Sequence, residues 1–201
     1  MCDEIVPACR EDAKQAACLI AETDADLFRW YTDDDLDLWI KVSEHEWESD
    51  SGIYSHTMSH VIRREREVVG LLVAYSFPRS AGIKWTLENS RAQLGSARLS
   101  RIDLVRSTAS FLFPKHPEDA FYVQNIAVSP SDRGRGLGKL LMNKAFELGR
   151  AEGCRTCHLD VDSSSTQAVR FYKKLGLRVE VRTELPNIPS LHAHFRMVID
   201  L

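Results

Sequence analysis

The chain lacks any apolar run long enough to span a membrane. Its longest, Val68 to Tyr75, is strand-sized, against the roughly 20 residues a spanning helix needs. It also lacks an excess of positive charge. Lys and Arg number 26 against 29 Asp and Glu, a formal net charge of −3, so no basic face for duplex nucleic acid is expected. Cysteines are few and odd in number: Cys2, Cys9, Cys18, Cys154 and Cys157. That does not form a disulfide framework. Cys154-x-x-Cys157 has no second pair to complete a zinc site, and it leads into a strand rather than opening a helix, as a redox pair would. It reads as one core thiol and one loop thiol in a reducing cytosol, and no metal is expected. Met1-Cys2-Asp3-Glu4 carries early acids and no apolar h-region, so no ordinary secretory signal is expected. The expected location is cytoplasmic. No repeat, low-complexity tract or linker divides the 201 residues, and one domain over 1–201 is expected.

Hydrophobic spacing gives a mixed order of elements. Ile5 to Ala8 reads as a strand and Glu11 to Thr23 as a helix. The acidic stretch Asp24 to Asp50 carries Trp30, Trp39 and Trp47 and reads as one or two amphipathic helices. Ser55 to Ile62 and Arg66 to Tyr75 read as a hairpin about Arg63-Arg64-Glu65. The segment at about 78–120 reads as an insertion holding at least one helix, since a structureless loop of about 40 residues is rare. Phe121 to Val128 is a strand. A helix follows from about Arg135, with Leu137, Leu140, Leu141, Leu148 and Ala151 on its apolar face and Gly153 as its stop. Thr156 to Val161 is a strand with Cys157, Leu159 and Val161 on one face and His158, Asp160 and Asp162 on the other. Ser163 to Ser165 caps a helix carrying Ala168, Phe171, Tyr172 and Leu175. Leu177 to Val181 and His194 to Ile199 complete the sheet. This order argues for an α/β fold with a partly parallel sheet covered by helices.

The chemistry centres on Arg133-Gly134-Arg135-Gly136-Leu137-Gly138-Lys139, between a strand and a helix. Glycine lets the backbone approach a ligand closely. The helix start adds unpaired N–H groups and a positive dipole end. Together they make a diphosphate cradle, with Arg133, Arg135 and Lys139 adding charge. The dinucleotide fingerprint fails at Lys139, where a third glycine is required. A Walker loop fails because Leu140 follows Gly138-Lys139.

Arg133-x-x-Gly136-x-Gly138 resembles the Q/R-x-x-G-x-G/A signature of the GNAT N-acetyltransferases. Asn125-Ile126-Ala127-Val128-Ser129-Pro130 is similar to that family's central strand and turn, and Ala168 to Leu177 to its A-x-x-F-Y-x-K-x-G-F block. The resemblance is close over 121–181. It implies a mixed, mostly antiparallel central sheet, flanked by helices and splayed in a V between its central strands. It implies acetyl-CoA as co-substrate. The diphosphate would lie on amides from Gly134, Arg135, Gly136, Leu137, Gly138 and Lys139, and pantetheine along Ile126, Ala127 and Val128 like an added strand. Tyr172 would protonate the leaving thiolate, and a backbone N–H near Val128 would meet the oxyanion. Ser165 stands where the family often has Asn and would offer one hydrogen bond.

The implied activity is acetyl transfer to an amine acceptor, a small molecule or a peptide. The alternative is an acyl-CoA-binding sensor with weak turnover, since Tyr122 to Asn125 holds no carboxylate to serve as base. An ordered water, Asp160, Asp162, His158, His192 or His194 remain candidates. The acceptor pocket is expected from 24–50, 78–119 and 183–193. There the acidic stretch reads first as a solvated face with Trp anchors, while Arg91, Arg98, Arg101 and Arg106 would favour an anionic or peptide acceptor if they face the pocket. Oligomeric state stays open, a homodimer included.

Overall fold

The computed structural model describes residues 4–77, 87–186, 188 and 190–201. In chain order the elements are β1 (Glu4–Pro7), α1 (Ala13–Ala21), α2 (Ala25–Thr32), α3 (Leu36–Trp47), β2 (Ser59–Arg64), β3 (Glu67–Ser76), α4 (Glu88–Leu94), α5 (Ser96–Ala109), β4 (Ala120–Val128), α6 (Leu137–Ala151), β5 (Thr156–Asp162), α7 (Thr166–Lys174), β6 (Arg178–Thr183) and β7 (His194–Asp200). They build a seven-stranded sheet in the order β1-β2-β3-β4-β5-β7-β6. Only β4 and β5 run parallel; the other neighbours are antiparallel.

Each face of the sheet carries its own core. Helices α1 to α5 cover one, where Ile20, Trp39, Trp47, Leu71, Leu99 and Ile102 are buried. Helices α6 and α7 cover the other, over Leu72, Phe121, Leu141, Met142, Cys157 and Met197. The acidic stretch forms two helices because its acids cap them. Asp24 Oδ1 accepts the Leu27 N–H at 3.1 Å and Asp35 Oδ1 the Leu38 N–H at 2.9 Å. Trp39 and Trp47 are fully buried, so they are core anchors as expected, and Trp47 Nε1 donates to the Cys9 carbonyl.

Several boundaries and faces differ from the sequence reading. Residues 55–58 are not strand: Ser55 caps a single 3-10 turn over His56–Met58, and β2 starts at Ser59. The hairpin turns about Glu65, held at φ 56°. On α6 the buried row is Leu137, Leu141, Met142, Ala145 and Phe146. Leu140 and Ala151 rotate off that row and are exposed, because helical spacing lets only one stripe face the sheet. The expected insertion helix is a pair, α4 and α5; the start of that insertion, 78–86, lies outside the described residues. Cys154 and Cys157 are both buried and free, and burial pushes the Cys157 thiol up to about 12. No described helix is long and apolar enough to cross a membrane.

Candidate active site

The sheet opens between its parallel pair. β4 and β5 are in register only from Ala120↔Thr156 to Val123↔Leu159; beyond that Gln124–Val128 and Asp160–Asp162 run on without pairing. A bulge is the local cause. Asn125 lies opposite Val73 and Val123 opposite Ala74, which leaves Gln124 without a partner on β3. Such an extra residue bends its strand and sharpens the twist. It also turns Asn125 to the α1–α2 face. The freed edge of β4 has a defined polarity. Ser129 N–H bonds back to Val69 on β3, while the Val128 carbonyl points away and accepts Arg133 Nε at 3.1 Å. By the two-residue alternation of an antiparallel ladder, Ile126 and Val128 both turn their N–H and C=O groups toward the opening.

The glycine loop sits at the mouth of this opening. Gly134 and Gly136 have φ of 79° and 85°, a left-handed conformation that costs any other L-residue about 1–2 kcal/mol. A Cβ at either would meet nothing within 4 Å, so the space in front of both is open. Gly138 serves differently: its Cβ would stand 3.3 Å from the Phe171 ring, and its absence lets α6 approach α7. The first α6 bond to the loop runs from Leu140 N–H to the Gly136 carbonyl. Among the described residues no protein acceptor meets the amides of 134–139. Gly134, Gly136, Leu137, Gly138 and Lys139 border a groove of about 740 Å³ whose walls include Ile126, Ala127, Val128, Ser165 and Tyr172.

The cations of the loop are not equivalent. Arg133 Nη2 pairs with Glu22 at 2.7 Å. Arg135 pairs with Asp132 at 3.0 Å and does not border the groove. Asp132 is buried and also binds Arg64 at 2.5 Å; the Arg64 hydrogen bond holds its carboxyl below the usual range. Lys139 borders the groove and makes no ion pair among the described residues. The serine cap expected for α7 is also different: Ser165 makes no side-chain cap, and Asp162 Oδ1 accepts the Ser164 N–H at 2.6 Å instead.

A second cavity, of about 270 Å³, lies across the opening. Both cavities share the wall of Ile126, Ala127, Val128 and Tyr172. Tyr172 is buried, and burial pushes its phenol up. Phe28, Tyr31, Tyr54, Phe113 and Tyr122 supply aromatic surface. Of the candidate bases, Asp160, Asp162 and His194 border the cavity; His158 and His192 do not. Asp160 is closed off: Arg196 Nε and Nη2 each reach it at 2.7 Å, and Tyr122 donates at 2.9 Å. His194 is sandwiched between acceptors, Asp24 Oδ2 at 2.7 Å and the His192 carbonyl at 3.2 Å. An acceptor at each ring nitrogen favours the doubly protonated ring. Burial opposes that charge, but the Asp24 hydrogen bond and charge outweigh it and raise the His194 pKa.

The pocket is only partly where the sequence put it. From 24–50 come Asp24, Leu27, Phe28 and Tyr31, and from the insertion Phe113; none of the described residues of 183–193 borders it. The insertion arginines do not face it either. Arg91 forks onto Asp103, Arg98 stands 3.9 Å from Asp35, and Arg101 lies over Trp30. Glu22, Thr23, Tyr54 and Tyr122 also form the wall, and no local motif announces them.

A sheet splayed at a parallel pair, with a glycine loop and helix start facing the gap, defines an acyl-coenzyme-binding class of fold. The acetyltransferase (GNAT) family profile matches residues 24–177, and the chain belongs to that family. The glucosamine 6-phosphate N-acetyltransferase of Trypanosoma brucei brucei is 41% identical over 61 residues, 30% of this chain and 40% of that protein. The peptidyl-lysine N-acetyltransferase YjaB of Salmonella typhimurium is 37% identical over 67 residues, 33% of this chain and 43% of that protein. The matched segments thus span about two fifths of these relatives. The crystal structure of an N-acetyltransferase from Staphylococcus aureus Mu50 superposes with a TM-score of 0.68 at 19% identity, covering 98% of this chain and all of that one, which is a likeness of fold.

Proposed function

We propose that this chain is an acetyl-CoA-dependent N-acetyltransferase acting on an amine. The observation that carries the reading is the shared wall: Ile126, Ala127 and Val128 part a groove lined by unmet loop amides from a cavity lined by aromatic rings. The residues fit the coenzyme. Amides of Gly134, Gly136, Leu137, Gly138 and Lys139 take the diphosphate at the positive end of α6, with the Lys139 ammonium, in no ion pair among the described residues, beside them. Arg135, tied to Asp132, shapes the loop from behind. Ile126 and Val128 pair with pantetheine as a strand would, and Ser165 borders its path.

The acceptor amine attacks the thioester carbon, the C–S bond breaks, and the departing thiolate takes a proton from Tyr172. A phenol raised by burial stays protonated at neutral pH, and the same dry surroundings destabilise the thiolate that receives its proton. The amine must shed a proton as well. Asp160 is held by Arg196 and Tyr122, and His194 faces an acceptor at each nitrogen; the routes left for that proton are ordered water and Asp162, whose Oδ1 accepts the Ser164 N–H. The acceptor has an apolar or aromatic body. The cations bordering the cavity, Arg133 and His194, are already paired with Glu22 and Asp24, which disfavours the phosphorylated sugar named for the trypanosomal relative.

Calorimetry with acetyl-CoA followed by thiol release over a panel of primary amines tests this. Micromolar binding and release above the blank are expected. Tyr172→Phe should lose about a hundredfold in kcat and keep its coenzyme affinity. Binding without release for every amine would leave a sensor rather than an enzyme.

A further inference from the structure

Among the described residues, several side-chain polar atoms are buried without a partner: Trp39 Nε1, Ser43 Oγ, His45 Nδ1, Arg63 Nε, His116 Nδ1, Asn125 Oδ1 and His158 Nδ1. Of these residues, Asn125 alone lines the cavity across from the coenzyme groove. Its orientation is fixed by its neighbours. The Thr23 hydroxyl donates its proton to the Ile20 carbonyl at 2.7 Å. Thr23 Oγ1 therefore offers Asn125 only lone pairs, and Nδ2 donates to it at 2.8 Å. A flipped amide would place two acceptors against each other, so Oδ1 is the atom left over. Asn125 is 5% exposed, and a buried acceptor left without a donor keeps its full desolvation penalty. The bulge at Gln124 is what turns this side chain to the cavity face, between Val123 and the strand edge at Ile126.

We propose that Asn125 Oδ1 holds the nucleophilic nitrogen of the acceptor, taking one N–H of a primary amine and leaving its lone pair free for the thioester. This rests on the acetyl-CoA reading of the adjoining groove. As nitrogen attacks it gains positive charge, its N–H becomes a stronger donor, and the bond to Oδ1 tightens in the transition state. The amide of Asn125 takes no proton; the N–C bond forms as the C–S bond breaks, the proton shed by the nitrogen to water matches the one Tyr172 gives the thiolate, and Tyr172 is reprotonated from that water, so amine and thioester give amide and thiol with no net proton released. Donor-free nucleophiles and tertiary amines are excluded on the same ground. Asn125 is thus both a positioning group for the reaction and a filter for amines.

The test uses the full chain, acetyl-CoA, and phenethylamine, tyramine and cadaverine as probes. Asn125→Leu removes the acceptor oxygen at similar volume; Asn125→Asp keeps one. Leu should cut kcat/KM for the best probe about tenfold or more while the acetyl-CoA Kd stays within twofold. Asp should recover to within about threefold of the parent. A purely structural role predicts the reverse order, because Asp buries a charge. Thr23→Val, which frees the amide to turn, should fall between. Kinetics unchanged in the Leu variant, or Asp as damaging as Leu, overturns the inference. So does acetyl-CoA binding with no probe acetylated by the parent chain. Failure of the parent chain to bind acetyl-CoA instead removes the coenzyme reading beneath it.

Discussion

Gly136 is held at φ 85° with open space where a side chain would begin. A substitution there is resisted by the backbone and, in the function proposed above, by the diphosphate, not by neighbouring protein atoms. The two costs separate by substitution. Gly136→Ala should lose about 1–2 kcal/mol of stability through the left-handed conformation alone and weaken acetyl-CoA binding modestly. Gly136→Asp adds a carboxylate facing a diphosphate and should lower affinity by a hundredfold or more, with a melting temperature close to that of the Ala variant. Calorimetry and thermal melts on the pair check this; equal affinities would mean the loop does not face the phosphates. Gly138 and Gly134, in the same run, serve other ends: one admits the Phe171 ring, the other turns the chain.

Among elements, α6 lies tight against the strand beneath it at Gly149. A Cβ on Gly149 would stand 3.0 Å from Phe121 Cβ and 2.5 Å from the tip of Leu201. The Leu201 tip can swing aside; Phe121 Cβ is fixed to β4. Ala would gain about 0.5–1 kcal/mol of helix propensity, but overpacking a tight core costs typically 1–3 kcal/mol. Gly149→Ala should therefore lower the denaturant midpoint, and a rise would show that α6 lifts freely. These elements also mark what sequence makes legible. The glycine loop, the Phe171-Tyr172 pair and the alternation on β5 are visible because each is a rule on neighbouring residues. The family resemblance supplied the splay. The bulge at Gln124 was not visible, since it exists only relative to β3. The row of α6 was misjudged at Leu140 for a similar reason: apolar residues on a helix edge are assigned only once the sheet is in place. The acceptor cavity was least legible. Its pairings, Thr23 with Asn125, Asp24 with His194 and Asp160 with Arg196, join residues far apart in sequence.

At the scale of the whole molecule, the half-buried His116 and the buried His158 and His194 set the pH range of stability, and they act in opposite directions. His116 packs against the Tyr122 ring at 4.0 Å. Burial, aided by the charge of Arg196, lowers its pKa to about 3, and burial likewise lowers His158. Both are neutral in the fold and free to protonate near 6.5 in the unfolded chain. Their contribution is whole above pH 6.5 and is lost as pH falls toward the folded values, because the unfolded chain then binds more protons. His194 runs the other way. Its raised pKa favours the fold below 6.5, and that gain fades as pH rises through its folded value and the charge opposite Asp24 is lost. The carboxylates held low by arginines, Asp103, Asp119 and Asp132, act only below about pH 4, so the window from 4.5 to 6.5 belongs to the histidines. Urea midpoints should fall from pH 6.5 to 4.5, and His116→Leu should flatten that slope even if it shifts the whole curve. His194→Gln should leave the acid slope alone and remove the decline above neutrality. An acid slope unaltered in the Leu variant would mean that His116 takes up its proton in the fold as readily as in the open chain.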